Sequence, residues 1–131
     1  MSVRIIVADD HAVVRQGIRR ILETRPGWEI CGEAENGQEA VRLAEELNPE
    51  AIIMDVSMPT MNGLEATREI ARRKANIPVL IFTMHDSASM TAAANQVGAR
   101  GLVTKSDAIR HLIRALESVL NGGTFFVAPR E

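Results

Sequence analysis

The hydrophobic pattern changes period along the chain, short solid runs taking turns with stripes of helical spacing. Val3 to Ala8 is apolar apart from Arg4 and reads as a strand. Val14, Ile18, Ile21 and Leu22 then recur on one helical face, which predicts a helix from His11 to Thr24, ended by Pro26-Gly27. Trp28 to Ala34 predicts a second strand. Asn36-Gly37 opens a second helix with Ala40, Val41, Ala44 and Leu47 on its inner stripe, and Asn48-Pro49 closes it. Ala51 to Met54 is apolar at every position, as a strand covered by helices on both faces must be, so it belongs at or near the centre of a sheet. Three more units follow. A helix from Leu64 to Arg73 leads to a strand from Pro78 to Phe82, and an alanine-rich helix from Ser87 to Val97 leads to a short strand from Leu102 to Thr104. A last helix from Asp107 to Leu120 carries the clearest stripe, Ile109, Leu112, Ile113, Leu116 and Leu120, and stops at Gly122-Gly123. Strand alternating with helix in this way predicts an α/β fold built on a parallel sheet.

Composition narrows the class. The 131 residues suit one domain, and 46% hydrophobic with 24% charged residues can bury a core without staples. One cysteine, Cys31, excludes an internal disulfide and a cysteine zinc cluster; it fits a reducing compartment and is expected to be buried in the second strand. No apolar stretch approaches the roughly 20 residues that cross a bilayer, and the N-terminus lacks a signal-peptide layout, so a cytoplasmic chain with no membrane partner is expected. A net charge of −2, with bases interleaved among acids, gives no general attraction to a phosphate backbone, and this stretch alone is not expected to bind DNA.

The candidate chemistry lies at strand ends. Asp9-Asp10, Asp55, Thr83 and Lys105 each close an apolar run, and parallel sheets bind ligands in the crevice beyond the carboxyl ends of their strands. Carboxylates gathered there raise one another's proton affinity unless a cation compensates. Magnesium, an oxygen-seeking ion held by one or two carboxylates, is the natural compensator, with Asp10 and Asp55 as its direct ligands. A carboxylate can also act as nucleophile and form an aspartyl phosphate. Lys105 and Thr83 would then neutralise and hydrogen-bond the transferring oxygens. Singly, each residue has a plainer role: Asp10 as the N-cap of the first helix, Thr83 as a good strand former, Lys105 as a solvated cation. Their occurrence at four ordered strand ends carries the functional reading.

The residues Ala8-Asp9-Asp10-His11, Met54-Asp55 with Met58-Pro59 and Asn62-Gly63, Phe82-Thr83, and Gly98-Ala99-Arg100-Gly101 leading to Lys105 together resemble a receiver domain of the two-component response regulators. The likeness covers about Val3 to Leu120. Val14-Arg15-Gln16-Gly17 after the acid pair, and Ser106 after Thr104-Lys105, are similar to the NarL/FixJ branch. This resemblance implies a doubly wound five-stranded parallel sheet of flavodoxin/CheY-like strand order 2-1-3-4-5. It implies that Asp55 accepts phosphate from a sensor histidine kinase, that Asp10, Asp55 and the Ser57 main-chain carbonyl bind Mg2+ with Asp9 acting through water, and that Thr83 and Lys105 hold the phosphoryl group. Homodimerisation on phosphorylation, through the first and last helices or through the fourth helix and fifth strand, is a further expectation. So is DNA binding through a C-terminal helix-turn-helix outside this chain. Residues 1–121 would form the receiver and 122–131 the start of a linker, unless Phe125-Phe126 docks back on the domain.

Three positions are expected to modulate the switch, and at two of them, Leu102 and Met84, the chain departs from the family pattern. Leu102 stands where an aromatic commonly precedes the lysine, Met84 is large where the residue after the threonine is usually small, and His85 lies where side chains touch the attacking water. Slowed phosphoryl exchange is expected from Met84. Two other classes fit less well. An aspartyl-nucleophile phosphatase would want an acid at Ser57 and a cap insertion, and an interaction module with lapsed chemistry would not need the complete set of acids, Thr83 and Lys105. The domain is therefore expected to be a switch that catalyses only its own phosphotransfer and dephosphorylation, not an enzyme.

Overall fold

The computed structural model describes residues 2–84 and 87–126. Six parallel strands, β1 (Val3–Ala8), β2 (Trp28–Ala34), β3 (Ala51–Asp55), β4 (Val79–Thr83), β5 (Gly101–Thr104) and β6 (Phe125–Phe126), lie in the order β2-β1-β3-β4-β5-β6. Between them run α1 (Ala12–Leu22), α2 (Gly37–Leu47), α3 (Gly63–Arg73), α4 (Ala88–Gln96) and α5 (Ala108–Leu120), the last entered through a single 3-10 turn at Lys105–Asp107.

Strand side chains alternate between faces, so the sheet divides its apolar residues between two layers. Ile5, Val7, Ile53, Leu80, Phe82 and Val103 meet Ile18 and Leu22 of α1 and Leu112, Ala115 and Leu116 of α5. On the opposite face, Ile6, Ala8, Ile52, Met54, Ile81 and Leu102 meet Ala40, Val41 and Ala44 of α2, Ala66 and Ile70 of α3, and Ala94 of α4. β3 and β4 are buried at every position, which is why their sequences lack alternation. A fully buried Leu or Ile contributes about 1.5–3 kcal/mol, so these central strands anchor the fold.

The sheet has six strands, one more than expected. Phe125 and Phe126 pair in parallel with Gly101 and Leu102, and successive side chains send one ring into each layer. Gly101 makes room for this edge, since a Cβ there would lie 2.9 Å from the Phe125 carbonyl oxygen and 2.7 Å from Leu80 Cδ1. Two residues are too few for a period to show, so the strand could not be read from the pattern. Part of the segment expected to begin a linker thus belongs to the sheet. Cys31 lies in β2 as expected but is only half-buried.

Candidate functional site

β1 lies between β2 and β3, so the strand order reverses beside it, and a crevice opens at such a reversal. Ala8 is in register with Met54, which sets Asp9 and Asp55, the next residues on each strand, side by side. Asp55 is level with Phe82, and Thr83 with Thr104, so Lys105 follows at the same edge. The structure therefore brings Asp9, Asp10, Asp55, Thr83 and Lys105 to one end of the sheet.

Asp9 is wholly buried and its carboxylate is committed. Oδ1 accepts the His11 main-chain N–H at 2.8 Å, and Oδ2 accepts from Lys105 Nζ at 2.8 Å. The same ammonium lies 3.2 Å from Asp55 Oδ1. Asp55 is 4% exposed, and its Oδ2 is buried with no hydrogen-bond partner among the described residues. Burial first, and then the Asp9 charge, push the Asp55 carboxyl above its ordinary value, against smaller opposing effects of Lys105 and the Ser57 main-chain N–H. Burial works to lower the Lys105 ammonium, but its hydrogen bond to Asp9 and the charges of Asp55 and Asp9 outweigh this and raise it.

Asp10 is more open, its side chain 31% exposed and 3.1 Å from His11 Nδ1. It does not cap α1: His11 takes the N-cap position with extended backbone and no side-chain cap bond, because the turn is already held by the Asp9 carboxylate. One ligand atom from each of Asp9, Asp10, His11 and Asp55 falls within 4.8 Å of the others. Three clustered carboxylates, two of them sharing one lysine and one with an unpartnered buried oxygen, fit a hard divalent cation, which favours the oxygens over the imidazole.

The loop after β3 is shaped around this site. Gly63 N–H donates to the Val56 carbonyl at 2.9 Å, and a Cβ on Gly63 would stand 1.9 Å from the Asp55 carbonyl oxygen, so only glycine lets α3 begin against the strand end. Asn62 caps α3 in a capping box with Glu65, which stops the loop from continuing as helix towards Asp55. Ser57 is exposed in that loop. Thr83 is buried and Met84, beside it, is 77% exposed, while Leu102 is packed in the core between Ile81 and Phe126. His85 lies outside the described residues.

Two further residues reach the site from behind. The Arg15 guanidinium donates through Nη1 to the Asp9 carbonyl, and its Nε donates to Glu33 Oε1 on β2 at 2.6 Å. Along the sequence Arg15 stands out only as part of Val14-Arg15-Gln16-Gly17. The one local hint was Arg15 and Arg19 placed a helical turn apart.

Residues 5–117 match the family model of the response regulator receiver domain. The chain is 37% identical to the transcriptional regulatory protein DegU of Brevibacillus brevis, over 95% of this chain and 52% of that protein. It is 37% identical to the response regulator UvrY of Escherichia coli (strain K12), over 96% of this chain and 58% of that protein. The chain thus spans a little over half the length of these curated relatives. Among solved structures it is similar to a two-component response regulator of the LuxR family from Aurantimonas sp. SI85-9A1, with TM-score 0.91 and 40% identity over 95% of this chain and 89% of the other. It also matches the non-phosphorylated receiver domain of RcsB from Escherichia coli, with TM-score 0.88 and 27% identity over 97% and 99% of the two chains.

Proposed function

This chain belongs to the response regulator receiver domain family, and on that footing we propose that it is a phosphorylation-activated switch in which Asp55 accepts a phosphoryl group from a sensor histidine kinase. The observation that carries this reading is the buried, unpartnered Asp55 Oδ2 beside an ammonium already shared between Asp55 and Asp9. A carboxylate short of hydrogen bonds in a dry pocket is a better nucleophile than one fully solvated. The Asp55 oxygen attacks phosphorus as the bond to the donor breaks, and Lys105 and Thr83 take up the charge and one oxygen of the transferred group. Asp10, Asp55 and the Ser57 main-chain carbonyl would hold a Mg2+ ion, with Asp9 acting indirectly, and the ion would supply charge neutralisation on the phosphoryl oxygens. Asp9 is suited to the indirect role because Lys105 and the His11 N–H already occupy its carboxylate. Met84, exposed beside Thr83, would modulate the access of donors and water, and the same role is proposed for His85 from its place in the sequence alone.

The new group brings a charge of about −1.5 to −2 to a site held together by charge, which biases a two-state equilibrium around Thr83 and α4. α4 is the least anchored of the five helices, with Ala94 its single buried residue. Relatives described as transcriptional regulators support an output on DNA through a C-terminal domain outside this chain, working in the cytoplasm. Phosphorylated copies pair as homodimers.

The test is intact-mass spectrometry after incubation with acetyl phosphate and Mg2+. One phosphate adduct is expected on the unaltered chain, and none on Asp55→Asn or in the presence of a chelator. An adduct that survives in Asp55→Asn would overturn the assignment.

A further inference from the structure

We propose that Arg15 and Glu33 are a positioning pair that holds the Asp9-Asp10 turn from behind and thereby sets the affinity of the acidic site for a divalent cation; this rests on the reading of the site given above.

An arginine near the start of a surface helix ordinarily extends into water, yet the Arg15 side chain is only 11% exposed. Its fork is engaged on each side: Nη1 donates to the Asp9 carbonyl, Nε donates to Glu33 Oε1 at 2.6 Å, and Nη2 lies 3.8 Å from Glu35 Oε1. Arg19, one turn on, donates through Nη2 to Glu33 Oε2 at 2.6 Å. Both oxygens of Glu33 are therefore held, and the carboxylate cannot swing away. Burial would raise the Glu33 carboxyl, but the bonds from Arg15 and Arg19 outweigh it and keep the group below its ordinary value, as an ionised anchor.

The position of this anchor matters. Glu33 is in register with Val7, two residues before Asp9, and the Asp9 N–H donates to the Ala34 carbonyl at 3.0 Å. With Arg15 on its carbonyl and His11 N–H and Lys105 on its carboxylate, Asp9 is fastened through every polar group it has. Its carbonyl belongs to the peptide that leads into Asp10, so the plane of that peptide sets where the Asp10 carboxylate points. Asp10 is partly exposed, and its carboxylate lies 3.1 Å from His11 Nδ1. Its aim towards Asp55 is set by the backbone, and the backbone is set by Arg15. Groups that orient a ligand residue without touching the ion typically change affinity by 10–100-fold when removed.

The experiment is a titration of the 131-residue chain with MgCl2, followed by amide chemical shifts, on the unaltered protein and on Arg15→Met, Arg15→Lys and Glu33→Gln, each with its Tm. Arg15→Met is expected to weaken Mg2+ binding about tenfold. Arg15→Lys, which keeps one donor for the Asp9 carbonyl but loses the fork, is expected to recover part of that loss. Glu33→Gln is expected to weaken binding less than Arg15→Met. Phosphorylation of Arg15→Met by acetyl phosphate should be slow at low Mg2+ and return to the unaltered rate at saturation, a split that mere loosening of α1 would not produce. A lowered Tm with unaltered Mg2+ affinity in Arg15→Met overturns the proposal. If that variant does not fold, unaltered affinity in both Arg15→Lys and Glu33→Gln overturns it. An unaltered protein that binds no Mg2+ would instead overturn the reading of the site itself.

Discussion

At the scale of single residues, Asp55 is held in a state that works against stability. Its carboxyl is raised above the ordinary 3.8 by burial and by Asp9, so the folded chain holds this proton more tightly than the unfolded chain does. Between the ordinary value and the folded value the native state binds more protons, and stability therefore falls as pH rises through that window. The penalty is complete only once pH has passed the folded value. Asp55→Asn is accordingly expected to raise Tm at pH 7.5 without Mg2+, by an amount that shrinks as pH falls and vanishes below 3.8, as followed by thermal circular dichroism. A gain that does not change with pH would refute this account. The raised Lys105 ammonium acts in the other direction: its stabilisation is present below 10.5 and is lost as pH climbs through its folded value. Each of these residues was legible because it closes an apolar run. Arg15 and Glu33 were not, because an ion pair between a helix and a strand 18 residues apart leaves no periodic trace.

At the scale of elements, solid apolar runs and helical stripes located five strands and five helices, with ends that differ by a residue or two from those observed. The sixth strand is where element and pattern part. Phe125 and Phe126 draw their stability from β5, whose Gly101 leaves the space, and from His111, whose ring centroid lies 5.8 Å from that of Phe125. Phe126→Ala removes a half-buried ring from the layer that also holds Leu102. It is expected to cost about 1–2 kcal/mol in urea unfolding, below the 3–5 kcal/mol of a fully buried phenylalanine because part of the ring is already wet. A loss under 0.3 kcal/mol, roughly the noise of such a measurement, would show that β6 does not hold the edge of the sheet.

At the scale of the whole molecule, the α1 and α5 side carries an uncovered apolar surface. Val13 is 80% exposed and Ile109 89% exposed, and a groove that Ile109 helps to form is lined also by Val14, Ile21, Phe82 and Ala108. Lys105 also lines this groove, so the surface begins at the proposed phosphorylation site. Homodimers that form on phosphorylation are expected to use it. Ile109→Glu should weaken the phosphorylated dimer at least about tenfold while leaving the monomer folded, as measured by analytical ultracentrifugation with acetyl phosphate and Mg2+. Unaltered dimerisation would place the contact elsewhere.

The sequence by itself determined the alternation of elements, the burial of β3 on both faces, and the set of residues that end strands, because periodicity and burial are written locally in residue type. Only the tertiary structure decided the rest. It placed β1 between β2 and β3, bound the Asp9 carboxylate to Lys105 and the His11 turn, left Asp55 Oδ2 without a partner, and set Arg15 against the Asp9 carbonyl. It also added Phe125–Phe126 to the edge. Each of these depends on the register between segments remote along the chain. A hydrogen bond or a buried charge is a property of the neighbours the fold supplies, and residue order alone does not name them.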